Sequence, residues 1–215
     1  VTSSPSSPAR PDLTGVAELV EVMDALRSPG GCPWDAEQTH ASLAPYAVEE
    51  AFELAEAIEN GDREHVREEL GDLLLQVVFH ARVAQEDAAD PYDLDDVARG
   101  IATKLRRRHP HVFADGDART PAQVEARWEE LKAAEKPERT SVFDGIPRGM
   151  AGLERAAKVV ARLDRAGRLD VAQEAARGTD VGARMLALVL AARDDGVDVA
   201  TALRGTLQRI ETSGL

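Results

Sequence analysis

Two amphipathic stretches, 48–58 and 69–78, flank the turn signal Asn60-Gly61-Asp62, and their apolar residues recur at spacings of three and four. Gly61 can end a helix in the left-handed region and Asp62 can cap a new one, so the pattern predicts an αα-hairpin. Its first helix runs from about Leu43 to Glu59 and its second to about Gln85. On the first, Glu49, Glu50, Glu53 and Glu56 share one face, leaving Val48, Ala51, Phe52, Ala55 and Ile58 for the core. On the second, Glu69 and Asp72 face together beside a core arc of Leu70, Leu73, Leu74, Val77 and Val78.

Alternating β-strand patterning is almost absent elsewhere, so the fold is expected to be all-α, a helical bundle built on this acidic hairpin. A first helix covers roughly Thr14 to Arg27 and stops at Ser28-Pro29-Gly30-Gly31, followed by a loop at 32–35. A helix over about 93–109 should bury Val97, Ile101 and Leu105, with Pro110 just past its end. Another opens at Thr120-Pro121 with Gln123 in capping position, and 135–147 reads as linker. Residues 1–12, rich in Ser and Pro, read as a disordered tail. Further on, the stretch from Asp180 echoes the one from Glu69, placing Asp180 opposite Glu69 and Ala183 opposite Asp72, while nothing upstream matches the acidic helix. The expected organisation is a main domain at 13–150 and a shortened, degenerate second repeat at 151–215.

A formal net charge of -13 argues against nucleic-acid or anionic-membrane binding, which need a basic surface. The lone Cys32 excludes an internal disulfide or a multi-cysteine zinc site, and a reducing, cytoplasmic setting fits best. The N-terminal stretch lacks a signal-peptide apolar core, and no apolar run approaches membrane-spanning length.

Residues 50 and 72 share the midpoint 61, and so do 53 and 69. Gly61 is the turn. Positions equidistant from the turn of an antiparallel pair lie side by side, so Glu50 should meet Asp72 and Glu53 should meet Glu69. Four converging carboxylates repel one another unless a cation or retained protons compensate. Oxygen-only donors select a hard ion, magnesium or manganese, and a triphosphate would complete its octahedron.

The run Glu49-Glu50-x-x-Glu53 followed by Glu69-x-x-Asp72 resembles the signature of MazG-type nucleoside triphosphate pyrophosphohydrolases. The flanking GCPWDAEQTHASLAPY (31–46), ELGDLLLQVVFHA (69–81) and KLRRRHPHVF (104–113) look like the same family. The resemblance implies hydrolysis of a nucleoside triphosphate between the α and β phosphates. By residue, it implies that Glu50, Glu53, Glu69 and Asp72 hold magnesium and that Glu49 orients or deprotonates the attacking water. Lys104, Arg107 and Arg108 would grip the phosphates, although cations also suit a helix C-terminus. Trp34, Tyr46 and Trp128 are candidate base-stacking rings. His65, one turn before Glu69, reads as a surface histidine, and His109 and His111 as fixing the turn at Pro110. The apolar flanks of such a helical unit need cover, and with the resemblance this predicts a homodimer.

Other readings share parts of the pattern. A dUTP- or dCTP-selective all-α pyrophosphatase would use the same metal chemistry, and a non-catalytic dimerisation module would have lost it. Arg63-Glu64-x-x-x-Glu68-Glu69-x-Gly71 superficially resembles the Nudix box, but it has one residue too many and lacks the strands that fold needs.

Overall fold

A computed structural model describes residues 12–135 and 140–213. The expected tail, apart from its last residue, and part of the expected linker lie outside the described residues. Those residues contain helices and no strand, which confirms the all-α class and removes the Nudix reading. They form two compact units, divided between Arg119 and Thr120.

In the first unit, α1 (Thr14–Arg27) precedes a single-turn α2 (Pro33–Glu37), where a loop was expected. The hairpin follows as α3 (His40–Asn60) and α4 (Arg63–Ala84). Thr39 and Ser42 form a reciprocal capping box at the start of α3, three residues before the expected boundary. Gly61 closes α3 at φ 71°, a conformation that costs a Cβ-bearing residue more than glycine. Asp62 then accepts from the backbone N–H groups of Glu64 and His65, opening α4. α5 (Leu94–Arg108), capped reciprocally by Asp93 and Asp96, and the short α6 (Pro110–Phe113) complete the unit. Met23, Leu43, Val78 and Phe79 form the buried core, with Leu19, Val20, Leu75, Val83 and Leu94 against it.

The core is narrower than the periodicity implies. Val97, Ile101 and Leu105 of α5 are exposed, not buried as expected. So are Val48, Phe52 and Ile58 on α3 and Leu70, Leu74 and Val77 on α4. Periodicity identifies an apolar face, but not what covers it.

The second unit comprises α7 (Pro121–Ala134), α8 (Gly152–Arg165), α9 (Leu169–Ala175), α10 (Val181–Asp194) and α11 (Val199–Thr212). Its core joins Val160, Leu163, Ala172 and Val189. Thr120 and Gln123 exchange the expected hydrogen bonds at the start of α7. The segment at 140–147 is more than linker: Asp144 accepts from the N–H groups of Thr140 and Ser141, and Ile146 is buried. This unit therefore begins about thirty residues before the boundary expected at 150.

Candidate metal centre

α3 and α4 bring ligand oxygens of Glu50, Glu69 and Asp72 within 4.8 Å of one another. The midpoint register thus brings Glu50 to Asp72. Glu53 differs from expectation. It is exposed and hydrogen-bonds the Glu50 carboxyl on its own helix, whereas Glu69 Oε1 is taken by His65 Nε2 at 2.7 Å. Glu69 is 7% exposed, so that imidazole is its compensating contact on the protein side. The sequence reading left His65 on the surface. The i, i+4 spacing to Glu69 was the signal that could have found this contact.

Burial raises the pKa of Glu50 above the usual carboxylate range, and Asp72, Glu53 and Glu69 add to the effect. Every one of these contributions disfavours the charged form. The cluster is therefore short of positive charge, which is what a cation would supply. Three ligand oxygens gathered this closely on two facing helices would supply part of the all-oxygen coordination that magnesium takes.

Glu49 is exposed and outside the three-carboxylate group. Tyr46 lies one turn before Glu50 on α3, and Trp34 of α2 meets it edge-on at 6.2 Å and Phe79 at 6.5 Å. Trp34 and Tyr46 are 52% and 40% exposed, so the aromatic surface remains open to a ligand. Lys104, Arg107 and Arg108 occupy the last turns of α5, the first two exposed and Arg108 buried at 6% exposure. Trp128 is half-buried on α7 in the second unit. In that unit Asp180, the counterpart of Glu69, caps α10 by accepting from Ala183 N–H at 3.0 Å.

Sequence reasoning also missed the stacked pair His40 and His80, whose Nδ1 atoms lie 2.8 Å apart. Burial, then the neighbouring His40, lowers the pKa of His80.

Residues 38–113 match the model of the MazG nucleotide pyrophosphohydrolase domain. Over 199 residues the chain is 52% identical to an uncharacterized 26.1 kDa protein in the blaB 3' region of Streptomyces cacaoi, covering 92% of this chain and 81% of that one. It is 46% identical over 158 residues to the nucleoside triphosphate pyrophosphohydrolase of Escherichia coli strain K12, covering 72% of this chain and 59% of the relative. It is 51% identical over 124 residues to the nucleoside triphosphate pyrophosphohydrolase/pyrophosphatase MazG of Thermotoga maritima, covering 58% and 46%. The chain thus spans about half the length of these two named relatives. By its acidic hairpin and by these similarities, the chain belongs to the MazG nucleotide pyrophosphohydrolase family.

Proposed function

We propose that this chain hydrolyses nucleoside triphosphates between the α and β phosphates, releasing nucleoside monophosphate and pyrophosphate with magnesium as cofactor. The observation that carries the reading is the convergence of Glu50, Glu69 and Asp72 on one inter-helical point. Those three would hold the ion, with Glu53 one turn away as a fourth donor, and manganese suits the same oxygen set. When bound, the ion neutralises charge on the phosphate oxygens and lowers the pKa of water. Glu49, beside Glu50 on α3, orients the water and takes its proton as the water oxygen bonds to the α phosphorus. The α–β bridging oxygen leaves with pyrophosphate. Lys104, Arg107 and Arg108 balance the substrate's charge, and Trp34 and Tyr46 offer a stacking surface for the base. Trp128 is a further stacking candidate.

The partner we propose is a second copy of the chain. Val97, Ile101 and Leu105 form an apolar stripe on α5 that is 39–47% exposed, and α3 and α4 leave apolar side chains exposed as well. Among the described residues no helix is long and apolar enough to cross a membrane. A cytoplasmic setting with free nucleotides suits the proposed reaction. The segment 151–215, which falls inside the second unit, reads as a decayed repeat: Asp180 is committed to its cap and Ala183 is no ligand.

The test is pyrophosphate and monophosphate release from a panel of normal and modified triphosphates, with and without magnesium. Glu50→Ala and Asp72→Ala should abolish turnover with helix content preserved. Undiminished turnover in both would sink the site. Light scattering should give twice the chain mass, and a monomeric mass across working concentrations would defeat the dimer.

A further inference from the structure

Gln76 of α4 is 7% exposed, and its amide Oε1 is fully buried without a hydrogen-bond partner. An orphaned buried acceptor is destabilising, and folded proteins retain few of them. Its position points to a use. Gln76 follows Asp72 by one turn and Glu69 by two, on the same helix face.

Across the hairpin, Gln76 and Tyr46 are equally distant from Gly61. So are Glu50 and Asp72 on the turn side, which share the carboxylate group, and Leu43 and Phe79 on the far side, which share the core. The register therefore holds on both sides of the layer containing Gln76. At 1.5 Å per residue, successive layers stand roughly 5–6 Å apart. By that register, the layers outward from the turn carry first the carboxylates, then Gln76 and Tyr46, then Phe79, with Trp34 edge-on to both Tyr46 and Phe79.

We propose that Gln76 is a specificity-determining residue for the nucleotide's sugar, its Oε1 accepting a hydrogen bond from a sugar hydroxyl. The inference rests on the pyrophosphohydrolase reading above. With the phosphates at the carboxylates, the sugar is the next part of the substrate and falls one layer on, at Gln76, while the base reaches the aromatic layer. A sugar hydroxyl is a neutral donor and meets the unpaired acceptor without adding charge beside Asp72. A site built to hydrogen-bond a hydroxyl rejects the analogue lacking it, because the protein's acceptor is again left unpaired.

The experiment compares ribo-, 2'-deoxy- and 2',3'-dideoxynucleoside triphosphates of one base on the wild-type chain, Gln76→Leu and Gln76→Met. Wild type should lose about ten- to a hundredfold in kcat/KM at the step that removes the recognised hydroxyl, and both variants should flatten that step to within about threefold. Which step shows the loss separates the 2' from the 3' hydroxyl. Without substrate, both variants should melt at or above the wild-type temperature, since each deletes an unsatisfied acceptor. A wild type indifferent to the sugar, variants that keep its discrimination, or a lowered melting temperature in both would overturn the role of Gln76 while leaving pyrophosphate release intact. Absence of pyrophosphate release from every substrate on the wild type would overturn the underlying reading as well.

Discussion

His65 Nε2 lies 2.7 Å from Glu69 Oε1, one turn away on α4. The contact orients a carboxylate that is itself buried. Partners that orient a metal ligand typically change affinity when removed. His65→Ala should therefore weaken manganese binding by roughly tenfold with helix content unchanged, as read by calorimetric titration. Equal affinity would show that burial alone holds Glu69 in place.

Glu50 gives the apo protein a pH dependence of definite sign. Its carboxyl is held above the ordinary range by burial first and then by Asp72, Glu53 and Glu69. A group that binds its proton more tightly when folded contributes stability as pH falls through its folded value and costs stability at neutral pH. Glu50→Gln should melt higher than wild type near pH 7 without metal, and the difference should shrink on acidification through the carboxylate range. Added magnesium should raise the wild-type melting temperature more than the variant's. A variant that melts lower throughout would mean that its charge is already compensated.

Arg27 ties three helices of the first unit together. Its Nε and Nη2 each lie 2.8 Å from a Glu86 oxygen, Nη1 donates to the Asp35 carbonyl, and the guanidinium stands 5.9 Å from the Phe79 ring centroid. Arg27→Ala should cost about 2 kcal/mol in denaturant unfolding. The Arg27 hydrogen bond is the largest cause holding the Glu86 pKa below 4.5, against a smaller opposing effect of burial. The Glu86 contribution is thus present above the unfolded pKa and lost as pH falls through the lower folded one. The gap between wild type and variant should narrow over that window. A gap independent of pH would assign the cost to packing alone.

The centre of the hairpin was legible because Gly61 fixes a register that integers express: equal distances from the turn put Glu50 beside Asp72. The position of Glu53 was not, because His65 competes for Glu69 and Glu50 lies within reach along the same helix. Arg27 and Glu86 are 59 residues apart, and His40 and His80 are 40 apart. Local periodicity says nothing about such pairs, which depend on how α1, α2 and α3 settle against α4. The same gap explains α5. Val97, Ile101 and Leu105 repeat as a buried stripe would, yet sequence does not reveal whether the cover comes from this chain or another. Asp180 shows a different failure. It aligned with Glu69, a residue inside α4, but it stands before the first residue of α10 and serves as its cap.

The basic end of α5 offers the cleanest separation of phosphate grip from structural support. Arg108 is 6% exposed, so removing it disturbs packing as well as charge, whereas Lys104 is exposed and can be changed with little effect on the fold. A phosphate contact carries no information about the base. If Lys104 meets the triphosphate, Lys104→Ala should lower kcat/KM by roughly tenfold for all four bases, the effect of losing a charge-assisted contact, with the melting temperature unchanged. Arg108→Ala should lower both activity and melting temperature. Trp34→Ala, by contrast, should reorder the four bases, because stacking depends on the ring presented. Steady-state kinetics over four triphosphates, paired with thermal melts, distinguishes these patterns. If Lys104→Ala leaves all four specificity constants unchanged, the exposed cation serves only the helix C-terminus, where positive charge is favoured in any case.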